Sequence, residues 1–242
     1  MLRSVKGLRG FRIHATDGDI GQIHDCYFDD HRWTIRYLSV GVGHWLPRRH
    51  VLIPLPALRA MEETGKTLHV ALTKAQVRDS PGIDTDKPVS RQHDIELAQY
   101  FGFPYDWHGP ALRTFRSQPA GDPHLRSARE VIGYSVQGVD DKVGGIGDLL
   151  VDDTVWVIRY IGVDTWREWP GKTVLLSSEW IVGVSWEWTT VETDLHWSMI
   201  RDAPEYDPTR PIDRGYETRL CNHYHRPKYW EEERKSSRSE RR

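Results

Sequence analysis

Residues 33–40, Trp-Thr-Ile-Arg-Tyr-Leu-Ser-Val, decide the fold, since large β-favouring side chains alternate there with smaller or polar ones. The alternation predicts a strand that carries Trp33 and Tyr37 on one face. A second strand-like segment over residues 20–28 precedes it, and the polar residues 29–32, Asp-Asp-His-Arg, lie between the two. Two strands joined by such a turn predict a β-hairpin.

An internal repeat with an offset of 123 residues organises the chain, because residues 156–160, Trp-Val-Ile-Arg-Tyr, repeat residues 33–37, Trp-Thr-Ile-Arg-Tyr. The two segments align at this offset without a gap from Leu2 to Trp107, and the matching residues lie in the second half of the chain. Such a repeat is too long for a solenoid unit of ~20–50 residues. Each copy is therefore a small domain followed by a short arm, here named copy one and copy two.

The sequence pattern of each copy predicts a small, mainly β domain. Five or six short strands lie within about 75 residues, with glycine-rich turns between them. Closure into a barrel would remove the exposed edges that so small a sheet cannot cover. We therefore predict two tandem β-barrels, over residues 1–82 and 124–205. Residues 108–123 are rich in Pro, Gly and Ser and predict a linker, and the charged residues 231–242 predict a disordered tail.

After each barrel the pattern changes to that of a helix, which predicts arms over residues 83–107 and 206–230. Ser90 is the candidate N-cap of the first helix, and residues 211–213, Pro-Ile-Asp, precede the second, which we expect to reach about Asn222. Each arm ends in a group of aromatic residues. We expect these rings to fold back onto a barrel.

The composition argues against several classes of protein. The chain has 242 residues, and no run approaches the ~18–20 apolar residues of a membrane span. Its net charge of −2 argues against a general nucleic-acid binder. The N-terminus lacks an apolar signal core, and the two cysteines form neither a disulfide framework nor a metal-binding spacing. We expect a cytoplasmic protein without a catalytic motif, and so not an enzyme.

The motif over residues 21–30, Gly-x-Ile-x-Asp-x-x-Phe-Asp-Asp, followed by the strand at 33–40, resembles the PRC-barrel family, and copy two carries a similar motif. The family is named for the cytoplasmic domain of the photosynthetic reaction centre H subunit. A related barrel forms the C-terminal domain of a ribosome maturation factor, and the arms resemble the tails of bacterial PRC-barrel proteins. The resemblance implies PRC-like barrels that bind rather than turn over a substrate. The structural motif residues are Asp29, Trp33, Arg36 and Tyr37 in copy one and Asp152, Trp156, Arg159 and Tyr160 in copy two.

The adjacent carboxylates Asp29-Asp30 and Asp152-Asp153 allow two interpretations. Oxygen ligands suit Mg²⁺ or Ca²⁺. Both pairs, however, lie where a hairpin turn is needed, and aspartate is a common turn former. We favour the turn.

Arg36 and Arg159 lie inside apolar strands. Each guanidinium could bind an anion, or it could be partly buried and paired with a carboxylate on a neighbouring strand, such as Asp25 or Asp148. Recurrence in both copies favours the structural pairing.

Cys221, His223 and His225, with His196 upstream, form a candidate soft-metal cluster. Copy one has no such residues at the matching positions, and a structural zinc site needs about four ligands. We therefore predict no metal and no cofactor.

The eleven tryptophans are unevenly distributed, since six of them occur in copy two alone: Trp166, Trp169, Trp180, Trp186, Trp188 and Trp197. These residues could pack between domains or subunits, or they could form a binding face, because Trp is enriched in interface hot spots. If the segment 186–188 is a strand, its two indoles share one face. The candidate partner-binding residues are Trp166, Trp169, Trp186 and Trp188.

These observations predict a non-enzymatic adaptor or assembly module that binds a protein partner. The alternatives are an RNA-processing or ribosome-associated factor, suggested by the maturation-factor relative, and a peripheral partner of a membrane electron-transfer complex. A homo-oligomer is left open. A basic face would support the RNA alternative, whereas an exposed tryptophan patch would support protein binding.

Overall fold

The fold is mainly β. The structure, a computed structural model, describes residues 1–42, 49–83, 91–103, 125–165 and 171–231. Within these ranges, fifteen strands belong to one hydrogen-bonded sheet. The predicted linker, the tail beyond Glu231 and the candidate cap Ser90 lie outside the described residues. Among the helices of the described ranges, none is long and apolar enough to cross a membrane.

The elements of copy one are β1 (Leu2–Ser4), α1 (Val5–Leu8), β2 (Arg12–Ala15), β3 (Gly18–Asp29), β4 (Thr34–Val42), β5 (Arg49–Pro54), a 3-10 turn (Leu55–Ala57), β6 (Leu58–Glu62), β7 (Thr67–Val70), α2 (Lys74–Arg78), β8 (Gly82–Ile83) and α3 (Arg91–Phe101). Those of copy two are β9 (Leu125–Ser127), α4 (Ala128–Val131), β10 (Ser135–Gln137), β11 (Lys142–Asp152), β12 (Val157–Thr165), β13 (Thr173–Ser177), a 3-10 turn (Ser178–Trp180), β14 (Ile181–Ser185), β15 (Thr190–Thr193), α5 (Trp197–Arg201) and α6 (Arg214–His223).

The two copies have the same architecture in the same register. Strands β4 and β12, and likewise β6 and β14, begin and end 123 residues apart. The strand order β6-β7-β2-β3-β4-β5 in copy one recurs as β14-β15-β10-β11-β12-β13 in copy two. One pair in each copy, β2 with β7 and β10 with β15, is parallel. The strand-for-strand correspondence predicted from the repeat is therefore present.

The copies exchange their first strands. Strand β1 of copy one pairs with β11 of copy two, and β9 of copy two pairs with β3 of copy one. The Ser4 hydroxyl donates a hydrogen bond to Asp148, and the Ser127 hydroxyl donates one to Asp25. Backbone amides of the short helices that follow add to each contact, Lys6 N at 3.2 Å from Asp148 and Arg129 N at 3.1 Å from Asp25. Both serines also cap those helices.

Strands β4 and β12 join the two copies at a local two-fold arrangement. Thr34 pairs with Val157, the Ile35 amide donates to the Trp156 carbonyl at 2.9 Å, and the Ile158 amide donates to the Trp33 carbonyl at 2.7 Å. Trp33 and Trp156 have φ of 53° and 57°, in the left-handed region that ordinary residues avoid. Such strain persists only where the surroundings hold it, and here the carbonyl of each tryptophan bonds the opposite copy.

The sheet runs continuously through both copies. Its order begins at β14, crosses from β12 to β4 and ends at β6. Among the described residues, these two end strands do not pair with one another. The two closed barrels therefore stay a prediction, because the β12–β4 junction merges the copies into one larger sheet.

One apolar core spans both copies and includes Ile35 and Leu38 together with Ile158 and Ile161. Strand β4 is buried along most of its length, so both of its faces are covered. On the second face, Leu97 of α3 packs in a smaller cluster with Tyr37. In copy two, α6 begins after Asp213, whose side chain accepts the Tyr216 amide and caps the helix. The end of α6 brings Tyr224 against Trp180 at 4.7 Å between ring centres.

The exchanged strand β9 covers Asp25, and this arrangement predicts a pH dependence of stability. Burial raises the pKa of Asp25 above its ordinary value, although hydrogen bonds from Ser127 and the Arg129 amide oppose the shift. Since the pKa of Asp25 is higher in the folded protein, its contribution to stability is present at low pH and is lost as pH rises through the folded-state pKa. We expect the free energy of unfolding, relative to Asp25→Asn, to fall from about pH 4 to about pH 7.

Urea unfolding of the native protein and of Asp25→Asn across that range measures the difference. Asp153 provides a control of opposite sign. Burial acts to raise the pKa of Asp153, but hydrogen bonds from the Met1 ammonium and Arg3 outweigh it and lower the pKa overall. Relative to Asp153→Asn, the native protein should lose stability as pH falls. A flat difference for Asp25→Asn would contradict the expectation.

Candidate functional site

The hairpin formed by β14 and β15 exposes apolar side chains at one end of the sheet. Trp188 is 73% exposed and Val182 is 65% exposed, which makes them the most exposed large apolar residues of the described chain. Val191 and Thr193 of β15 point to the buried side, whereas Glu192 is exposed. We name the outer side of this hairpin the hairpin surface and define it by Val182, Ser185, Trp188, Thr190 and Glu192.

The turn of this hairpin, residues 186–189, fixes the backbone of Trp188. Thr189 has a φ of 46°, which turns the chain. The Trp188 amide donates to the Ser185 hydroxyl at 3.3 Å, and the Thr190 hydroxyl donates to the Trp188 carbonyl at 2.9 Å. The indole is therefore presented to solvent from a defined backbone position.

Trp186 and Trp188 do not share a strand face, since residues 186–188 form a turn and not a strand. Trp186 is half-buried, with the Arg126 guanidinium 3.9 Å from the centre of its ring and Tyr134 at 5.8 Å between ring centres. Arg126 also lies 3.3 Å from Asp30 of copy one. Trp186 thus supports the exchanged strand β9, while Trp188 remains available for contact.

The repeat explains this difference between the two tryptophans. At the position matching Trp186, copy one carries Glu63, which pairs with Arg3, the counterpart of Arg126. The same guanidinium position therefore meets a carboxylate in one copy and an indole in the other. Trp186 replaces an ion pair by a cation–π contact, which is a structural role.

The other candidate tryptophans have different placements. Trp166 and Trp169 lie outside the described residues. Trp180 is buried against Tyr224, and Trp197 is partly buried against the core. Of the four candidate partner-binding residues, the structure therefore shows one, Trp188, as exposed.

Sequence reasoning missed Val182, whose signal lies in the comparison of the two copies. The matching residue of copy one is Arg59, which is exposed on β6. Natural proteins protect open sheet edges with charged residues. Copy one carries such a charge at the second residue of its edge strand β6, and copy two has valine at the matching position. The matching position to Trp188 is Gly65, so copy one also lacks the indole.

The hairpin surface is acidic as well as apolar. Glu187 and Glu192 are exposed beside Trp188 and Val182. Residues 124–230 as a whole carry 12 basic and 17 acidic side chains, a net charge of −5. A ligand of this surface would therefore combine apolar and positively charged groups.

The paired carboxylates perform turn and pairing roles. Asp29 accepts the amides of His31 at 3.0 Å and Arg32 at 3.2 Å, and Asp152 accepts the Thr154 amide at 3.1 Å. The second aspartate of each pair binds the arginine of the exchanged strand, Asp30 with Arg126 and Asp153 with Arg3. In the described ranges, no group of three or more His, Cys, Asp or Glu side chains could hold a metal ion.

Arg159 does face a carboxylate of the neighbouring strand β11, but that carboxylate is Asp152, whereas Asp148, the example named from the sequence, accepts the exchanged Ser4. Arg159 Nε lies 4.0 Å from Asp152, and its guanidinium is 4.1 Å from the ring centre of Tyr229. In copy one, Asp25 likewise accepts the exchanged Ser127, and Arg36 is buried.

The candidate soft-metal residues have different placements, with Cys221 buried and His196 and His225 exposed. Burial raises the pKa of the Cys221 thiol to about 11. His223 Nε2 lies 2.7 Å from the Met199 carbonyl, so that ring nitrogen donates a hydrogen bond. His196 lies 3.6 Å from Asp140.

No protein-family model matches the chain. No curated protein is significantly similar to it. The candidate site therefore rests on the geometry of the hairpin surface alone.

The different placements of Trp186 and Trp188 predict different effects of mutation. Trp188→Ser should change the free energy of unfolding by less than about 0.5 kcal/mol, because its indole is exposed. Trp186→Ser should lower that free energy by about 1–2 kcal/mol, because it removes packing on Tyr134 and the cation–π contact with Arg126. Urea unfolding followed by circular dichroism measures both. Equal destabilisation by the two variants would show that Trp188 is an ordinary packing residue.

Proposed function

We propose that the chain is a non-enzymatic adaptor that binds a protein partner through the hairpin surface. In this proposal each copy is a PRC-like barrel with a helical arm, and the protein works in the cytoplasm. The observation that carries the proposal is a pair of exposed apolar residues in this hairpin, Val182 on the uncharged end strand β14 and Trp188 in the turn that follows it. Exposed apolar groups rimmed by polar residues mark interaction sites, and tryptophan is enriched in binding hot spots.

The charges of the hairpin surface favour protein over RNA as the partner. Glu187 and Glu192 lie beside the exposed indole, and carboxylates repel a phosphate backbone. The stacking of a base on Trp188 would therefore lack the cations that single-strand binding surfaces provide.

A photo-crosslinking amino acid at position 188 tests the proposal in the cells that make the protein. We expect a discrete covalent adduct with one protein, identified by mass spectrometry. The matched control places the same amino acid at position 65, which is the counterpart of position 188 in copy one. Absence of an adduct at 188, or the same adducts from both positions, would contradict the proposal.

A further inference from the structure

Strand β14 lies at the end of the sheet and has one paired edge. Its residues pair with β15, Ile181 with Thr193 and Ser185 with Thr190. Within the described part of the chain no strand pairs with its other edge. The backbone N–H and C=O groups along that edge are consequently a template for one more strand.

The side chains of β14 include no charged group that would hinder the addition of another strand to this edge. The strand reads Ile-Val-Gly-Val-Ser and carries no charge. The other end strand of the sheet, β6, reads Leu-Arg-Ala-Met-Glu, with Arg59 and Glu62 exposed. Charged residues on an edge strand are a common means of preventing the addition of foreign strands. Both end strands carry a β-bulge, at Val182 in β14 and at Arg59 in β6, so the two ends of the sheet differ in their charged side chains, which β6 has and β14 lacks.

We propose that β14 accepts an extended, basic segment of the partner protein as an added β-strand. This inference rests on the proposed function and names the chemistry of its partner. Main-chain hydrogen bonds to β14 supply affinity, and alternate side chains of the added strand supply specificity. An apolar side chain of that strand contacts Val182 and Trp188, and basic side chains meet Glu187 and Glu192.

Charge complementarity favours such a segment over a second copy of this chain. In an antiparallel pair of β14 strands centred on Gly183, Ser185 of one copy would face Ile181 of the other. Glu187 of the first copy would then approach Glu179 of the second, and both are exposed acidic residues. Like charges placed together disfavour that pairing. A basic segment meets the same carboxylates with opposite charge.

A synthetic peptide of alternating lysine and valine, seven residues long with capped ends, is the probe. Backbone amide shifts of residues 181–185 in the full chain report its binding by nuclear magnetic resonance. We expect shifts at these amides with the lysine–valine peptide, and none with a glutamate–valine peptide of equal length.

Two N-methylated forms of the probe test strand addition itself. One is methylated on the lysine amides and the other on the valine amides. Alternate residues of an added strand bond to its neighbour, so one form should lose at least about tenfold in affinity while the other retains it. Equal binding by both forms would overturn strand addition, although the proposed function would stand on the crosslinking result.

Two lysine substitutions distinguish binding of the peptide at the edge of β14 from general charge attraction. Val182→Lys places a charged side chain on the edge strand β14 and should weaken peptide binding at least about tenfold. Ala60→Lys adds the same charge to the exposed, matching end strand β6 and should leave affinity unchanged. Equal weakening by both variants, shifts confined to residues outside β14, or self-association of the protein through β14 in sedimentation would each overturn the proposal.

Discussion

Trp33→Ala should lower the free energy of unfolding by about 3–5 kcal/mol, the usual range for deletion of a buried tryptophan side chain. Trp33 is 7% exposed and its ring stacks on Phe28 at 5.4 Å between ring centres. Trp33→Gly should be the more stable of the two variants, by about 1 kcal/mol. Alanine must adopt the left-handed φ of 53° at a cost that glycine does not bear. Urea unfolding of both variants measures the difference.

Trp156 provides the matched control for this prediction. It has a φ of 57° and bonds the opposite copy in the same way, but it is half-buried and lines an open cleft of about 300 Å³ with Leu58 and Met61. Trp156→Ala should therefore cost less, about 1–2 kcal/mol, and glycine should again be better than alanine. If alanine is better than glycine at both positions, the left-handed backbone is not a property of the folded protein.

Glu217→Ala should lower the free energy of unfolding by about 3 kcal/mol and release α6 from the sheet. Glu217 is buried and accepts hydrogen bonds from Tyr160 at 3.1 Å, Tyr229 at 3.0 Å and Arg214 at 2.9 Å. Burial raises the pKa of both tyrosines, which keeps their hydroxyls protonated as donors. Removal of the acceptor leaves the two buried hydroxyls with no group to which they can donate, although Arg214 still donates to the Tyr229 hydroxyl at 2.9 Å, and this loss carries most of the cost.

Two milder changes test that explanation. Glu217→Gln keeps an acceptor oxygen for the tyrosines and should cost less than the alanine variant. Tyr229→Phe removes one hydroxyl and should cost about 1 kcal/mol. Limited proteolysis should cut the segment after residue 205 faster in Glu217→Ala than in the native protein. Equal stability of Glu217→Ala and the native protein would contradict the prediction.

The repeat made much of the fold predictable. The hairpin at residues 20–40, its copy in the second half and the helix that begins after Asp213 all follow from local pattern, because turn formers, alternation and caps act within a few residues. The exchange of β1 and β9 was not predictable in the same way. Both strands read Leu-Arg-Ser, so pairing within a copy and pairing between copies are chemically equivalent in sequence.

The candidate site was predictable in part. For residues 186–188 the sequence leaves a strand open, because tryptophan favours β structure, whereas the structure has a turn over residues 186–189. The matching residues of copy one, Glu-Thr-Gly-Lys over 63–66, are typical of a turn and would have indicated the correct structure. Val182 carries no signal of its own, because exposure of one valine depends on the place of its strand in the sheet.

The strand exchange also bears on the stoichiometry of binding. Two separate chains, each of one copy, could satisfy the same reciprocal contacts, but such a homodimer would carry identical edges at both ends of its sheet. With two receptive edges it would be bivalent, and a bivalent particle can be linked into chains. Covalent fusion of the copies lets one edge keep Arg59 while the other carries Val182. If β14 accepts a partner strand as proposed, the fused protein is a monovalent receptor, and one molecule engages one partner strand.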